Sequence, residues 1–190
     1  MSADVVLLLE GTYPYVRGGV SSWVHQIISG LPDYKFDIVF IGGARAHYQE
    51  RQYEVPSNVV GLEHYYLEDA WLTKKGSRRE GNKAAFDESK TLHTAFQQTE
   101  PDAASLTALM ALVTEDKPPV THDDFLFSRN AWQTIVEAYD ELCTDPNFLN
   151  YFWTVRSMHA PIFLLSEIAR TITPAPIVHS VSTGYAGLLG

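Results

Sequence analysis

Hydrophobic residues in this chain switch between strand and helix rhythms, and each segment predicts its own element. Val5 to Leu9, "VVLLL", is a continuous apolar run of strand length, the pattern of a strand covered on both faces. Val20, Trp23, Val24, Ile27, Ile28 and Leu31 then recur at helical spacing, and "GLPD" ends the pattern, so an amphipathic helix is expected. "FDIVFIGG", Phe36 to Gly43, reads as a second buried strand, and Val59 to Leu62 as a shorter third. Strand, helix, strand in this order predicts a right-handed βαβ unit and a parallel sheet.

The regular alternation stops there. Residues 68–83 are polar, basic and punctuated by glycine, which predicts an exposed loop. From about 83 to 171 the pattern is helical. Its clearest segment places Trp132, Ile135, Val136, Tyr139, Leu142 and Cys143 on one face; a later one, from Phe148, contains Pro161, expected to kink or divide it. "PAPIVHSVS" returns to strand character and "TGYAGLLG" opens another helix. The expectation is an α/β protein: a Rossmann-like parallel sheet with a large helical insertion before the fourth strand. Because that last helix has barely begun, residues 1–190 are read as one domain of a longer protein.

Bulk properties narrow the function. The chain has 190 residues, enough for one sizeable core and a small second one, and 45% are hydrophobic. A formal net charge of −9 argues against a phosphate-neutralising surface, hence against nucleic-acid binding as the main task. One cysteine, Cys143, excludes an internal disulfide framework and fits a reducing, cytoplasmic setting; on the apolar face of its helix it reads as core. The amino-terminal apolar run is too short for a signal peptide, and no stretch approaches the ~20 apolar residues of a membrane span.

Ligands of open parallel sheets bind at the carboxyl ends of the strands. Two loops are expected there: Glu10 to Gly19 after the first strand and Ser180 to Gly184 after the fourth. The first ends in Arg17-Gly18-Gly19 directly before a helix. Glycines allow close backbone approach and positive φ, and a helix start attracts anions such as phosphate. The spacing is neither G-x-G-x-x-G nor a P-loop, which counts against a nicotinamide-dependent oxidoreductase, and a plain tight turn also explains the glycine pair.

Together, "EGTYPYVRGGVSSWVHQII" and "HSVSTGYAGLLG" resemble the amino-terminal region of the Pel-type exopolysaccharide glycosyltransferases and their relatives in glycosyltransferase family 4. The resemblance implies half of a GT-B enzyme: an acceptor-side domain whose partner domain binds the nucleotide sugar and carries the main catalytic groups. It implies a retaining, metal-independent transfer from a nucleotide sugar, expected to be a UDP-sugar, to a glycan acceptor. It also implies cytoplasmic work beside inner-membrane polysaccharide synthesis and export proteins, and no resident cofactor. By this resemblance Gly18 and Gly19 face the donor phosphates, while Glu10, Tyr15 and Arg17 line the cleft. His179 matches the first histidine of the family's H-x-H, but Val181 stands at the second, so that histidine's role does not carry over. Ser182, Thr183 and Tyr185 offer hydroxyls for a sugar instead. The fragment alone is expected to be inactive, and a non-catalytic glycan- or protein-binding module is the alternative.

Other residues have plainer readings. His25 beside the apolar face of its helix reads as structural. Tyr65, Tyr66 and Trp71, expected just after the third strand, suit either sugar stacking or burial. Lys74, Lys75, Arg78, Arg79 and Lys83 suit either an anionic partner or a solvated loop. "HDDF" at residues 122–125 lacks a third metal ligand and reads as a helix start capped by Asp123 or Asp124.

Overall fold

The computed structural model describes residues 2–69, 76–98, 103–144 and 147–190, with the side chains of residues 96–98 left aside. The chain divides into two compact units, Met1–Thr73 with Thr171–Gly190, and Lys74–Arg170. Trp71, Lys74 and Lys75 lie outside the described residues.

The first unit is a Rossmann-like α/β fold built on a four-stranded, wholly parallel sheet in the order β3-β2-β1-β4. Its strands are β1 (Val5–Glu10), β2 (Phe36–Gly42), β3 (Val59–Tyr66) and β4 (Ile177–Ser180). β1 is central and pairs on both sides, Leu7 opposite Ile38 on β2 and opposite His179 on β4. A strand so placed needs apolar side chains on both faces, and Val6, Leu8 and Leu9 are fully buried. Helix α1 (Gly19–Gly30) lays Val24 and Ile28 onto Val5, Leu7, Leu9, Phe36 and Ile38, forming the core of this unit. Asn58 fixes the end of α1, its amide nitrogen donating to the carbonyls of Ile28, Leu31 and Tyr34.

Two details differ from the sequence expectation. The stripe on α1 is only half covered: Val24 and Ile28 are buried, whereas Val20, Trp23 and Leu31 are exposed. β3 runs four residues further than expected, so Tyr65 and Tyr66 are strand residues with Tyr66 buried. Cross-strand pairs Phe40↔His64 and Ile41↔Tyr65 extend the ladder past the point where simple apolar character fades.

The second unit is helical, comprising α2 (Lys83–Gln98), α3 (Ala103–Thr114), α4 (His122–Phe127), α5 (Arg129–Leu142) and α6 (Phe148–Thr171). Thr121, not an aspartate, caps α4: its hydroxyl accepts from the Asp124 N–H and the Asp124 carboxylate accepts from the Thr121 N–H. Arg79 pairs with Asp123 and Asp124, and Lys83 with Asp87, so neither cation is held free for an anionic partner. Pro161 does not divide α6; buried beside Ala160, it sits inside one continuous helix. On α5 the buried face is Asn130, Ala131 and Ile135. Trp132 is half exposed, meeting Phe148 and Phe152 only through its ring. Cys143 lies just past the end of α5 and is half-buried, outside the helix face where periodicity placed it. The short α7 (Tyr185–Leu189) follows β4 in the first unit. Among the described residues, no helix is long and apolar enough to cross a membrane.

Candidate functional site at the carboxyl edge of the sheet

Because all four strands are parallel, their carboxyl ends share one edge. The β1–α1 loop leaves that edge through Gly11, whose φ of 61° favours glycine. Gly11 N–H donates to the Ile41 carbonyl at 2.9 Å, and the N–H groups of Tyr15 and Val16 both donate to the Thr12 carbonyl at 2.9 Å. Tyr13 anchors the turn: fully buried, it packs on His25 and Tyr53, and burial pushes its phenol up to about 12. His25 is therefore a structural residue, its Nδ1 3.4 Å from the Tyr13 hydroxyl.

The first half of the loop is thus pinned, whereas Val16, Arg17, Gly18 and Gly19 are exposed. Gly18 is the cap residue of α1, with fully extended backbone (φ 172°, ψ 177°) and no side-chain cap; the first turn has no acidic residue. Neither Gly18 nor Gly19 has a left-handed φ, so the expected backbone reason for these glycines is absent. What they provide is space, since a Cβ on either would meet nothing within 4 Å. The first helical bond here is Ser22 N–H to the Gly18 carbonyl at 2.9 Å, which leaves the N–H groups of Gly19, Val20 and Ser21 with no intrahelical acceptor. The positive end of a twelve-residue helix is therefore open, with Arg17 beside it, and that combination can hold an anion.

Glu10, at the end of β1, reaches the start of α7, where its Oε2 accepts from the Ala186 N–H at 3.2 Å. A Cβ on Gly184 would fall 2.4 Å from that oxygen, so glycine there leaves the carboxylate room to reach the helix start. The carboxylate thereby ties the β4–α7 loop to the end of β1. In that loop Ser180 Oγ donates to the Ser182 carbonyl at 2.9 Å. The hydroxyl oxygens of Ser182 and Thr12 are buried without a hydrogen-bond partner. Thr183 is exposed and Tyr185, first residue of α7, is half-buried. Val181 packs against the sheet–α1 core, which accounts for an apolar residue at this position. His179 is exposed on edge strand β4, its ring centroid 5.8 Å from that of Trp23 on α1.

A further cluster escaped the sequence reading. Tyr15 Oη lies 2.5 Å from His64 Nε2 on β3. Burial lowers the His64 pKa, and the Arg51 and Arg45 guanidiniums lower it further. Arg45 stacks 4.4 Å above the Tyr66 ring and pairs with Asp69 at 3.0 Å. Tyr48 and Phe40 meet Tyr15 edge-on. The signal was alternation: in "GLEHYY", Leu62, His64 and Tyr66 share one face if the strand continues. On the other face, burial and then Glu63 raise the Asp37 pKa, and the Asp37 Oδ1 has no partner. The described residues hold no group of three or more His, Cys, Asp or Glu able to bind a metal.

A family model described as a domain of unknown function, DUF3492, matches residues 3–190. No curated protein and no solved structure matches the chain.

Proposed function

The chain belongs to the DUF3492 family, a domain family associated with glycosyltransferases, and from that footing we propose that it is the acceptor-side domain of a retaining, nucleotide-sugar-dependent glycosyltransferase of the Pel exopolysaccharide type. The observation that carries the reading is the uncapped, glycine-led start of α1 at the carboxyl edge of a parallel sheet. In this role the N–H groups of Gly19, Val20 and Ser21, with Arg17, stabilise the diphosphate charge that grows as the sugar–phosphate bond breaks. Oriented N–H donors and a guanidinium do this without a metal ion. Glu10 holds the β4–α7 loop in register, and Ser182, Thr183 and Tyr185 present hydroxyls to the sugars. The remaining groups, including those that grip the nucleotide, belong to a second Rossmann-like domain that closes the GT-B cleft. The UDP-sugar donor, glycan acceptor and association with membrane-bound synthesis and export proteins complete the reading.

Its test is consumption of nucleotide sugars by the full-length protein. Saturable turnover of one donor, reduced at least tenfold by Arg17→Ala with unchanged thermal stability, supports it; unchanged kinetics in that variant refutes the cleft assignment. A non-catalytic glycan-binding module is the second reading, favoured by the half-buried rings of Tyr15 and Tyr48 beside the exposed Arg45. Saturable binding of oligosaccharide by a full-length protein that consumes no nucleotide sugar would select it.

A further inference from the structure

The helical unit holds a partly open, apolar cavity of about 230 Å³, lined by residues of all five of its described helices. Two histidines reach it from opposite helices, His93 on α2 and His159 on α6, with their Nε2 atoms 3.3 Å apart. The tautomer of each follows from its other nitrogen. His93 Nδ1 lies 2.7 Å from the Ser89 carbonyl and His159 Nδ1 lies 2.7 Å from the Val155 carbonyl. Carbonyls only accept, so each Nδ1 carries the hydrogen. In the neutral state both Nε2 atoms then present lone pairs toward each other, and one proton between them turns this repulsion into an N–H···N bond. Burial opposes that proton, however, because a cation in an apolar cavity needs an anion.

Charged groups on the surrounding helices are engaged elsewhere. Lys90 is bound by Glu137 and Glu141 of α5, and the Arg156 guanidinium donates to the Leu126 carbonyl and lies over the Phe152 ring. His122 of α4 stacks on Phe163, and the Tyr151 phenol is held protonated by burial.

We propose that this cavity binds an aliphatic carboxylic acid. Such a ligand supplies both missing components at once. Its O–H proton passes to one Nε2, and the new N–H donates to the carboxylate left behind, a charge-assisted bond that also makes that oxygen the counter-ion, so the site stays neutral overall. The alkyl chain occupies the apolar remainder. At about 230 Å³ the space exceeds the ~150 Å³ of an apolar cavity that accepts benzene, which suits a chain of medium length. A metal ion on the same two nitrogens would need a third ligand, which the described residues do not offer.

The experiment is calorimetric titration of the full-length protein with decanoic acid and with 1-decanol at pH 7.5, in two buffers of different ionisation enthalpy. At that pH the free acid is ionised and an ordinary imidazole is neutral, so each complex formed should take up about one proton. Decanol should take up none and bind about tenfold or more weaker, the scale of one charge-assisted hydrogen bond. His93→Gln and His159→Gln should each abolish the proton uptake and bring the acid to the affinity of the alcohol. Imidazole nitrogen resonances in the unsubstituted protein should report a protonated pair only with the acid bound. Equal affinity for acid and alcohol, no proton uptake, no saturable binding of either, or displacement of the acid by stoichiometric Zn²⁺ would overturn the proposal.

Discussion

Gly19→Asp separates the anion-site reading of α1 from every explanation based on folding alone. The position is the first residue of the helix, is exposed, lacks positive φ, and has room for a Cβ on all sides. Replacing glycine by aspartate there regains about 0.3 kcal/mol of helix propensity. A carboxylate in a first turn that has none adds roughly 0.3–1 kcal/mol through the helix dipole. The sum, about 1 kcal/mol, corresponds to a rise in Tm of roughly 2–4 °C for a chain of this size. The same carboxylate would occupy the N–H groups proposed for the donor diphosphate and repel it, costing about 1–3 kcal/mol at effective dielectric constants between bulk water and a protein surface. Thermal unfolding and donor titration of the full-length protein should therefore move in opposite directions: Tm up, affinity for nucleotide sugar down about tenfold or more. Raised Tm with unchanged donor affinity would refute the reasoning, since the helix start would then be a structural terminus only.

Gly184→Ala would drive a Cβ into the Glu10 carboxylate and should destabilise the first unit by about 1–3 kcal/mol; in the double variant with Glu10→Ala most of that loss should vanish, which a double-mutant cycle measures. The Asp37 pKa is raised in the folded state, so its contribution to stability is lost as pH rises through the carboxylate range. Asp37→Asn should accordingly raise the urea midpoint at pH 7 and leave it unchanged at pH 3. His64 and His159 are depressed below 6.5, so stability should be full above that pH and fall as pH drops below it, with a smaller fall in His159→Gln. Thr121→Ala removes the side-chain half of the α4 capping box, leaving the backbone N–H of residue 121 on Asp124, and should cost about 1 kcal/mol by chemical denaturation.

The sheet was legible because buried parallel strands must be apolar on both faces, and "VVLLL" and "FDIVFIG" have no other use. The helical character of 83–171 followed from periodicity, but its details did not. Pro161 was expected to interrupt α6, yet it is absorbed by a helix whose neighbouring residues are buried, a tertiary effect that local rules do not contain. The end of β3 was missed for a related reason. His64, Tyr65 and Tyr66 have strand propensity only once β2 lies alongside to pair with them. At the candidate site, sequence located the two loops by their place after β1 and β4. It did not show that Glu10 is bonded across to α7, or that Tyr15 meets His64, because both pairs join residues far apart in the chain. The His93–His159 pair was equally hidden, since two isolated histidines on separate helices carry no spacing signal.

The central claim is that this chain forms one wall of a sugar-transfer cleft. Its most direct test is to incubate the full-length protein, with chelator present, against a panel of UDP-, GDP- and ADP-sugars and to measure nucleotide release. The account predicts saturable release from one donor, with a UDP-sugar preferred, weakened at least tenfold by Gly19→Asp and absent from the isolated 190 residues. Release from no donor, or equal release by the isolated chain, would contradict it.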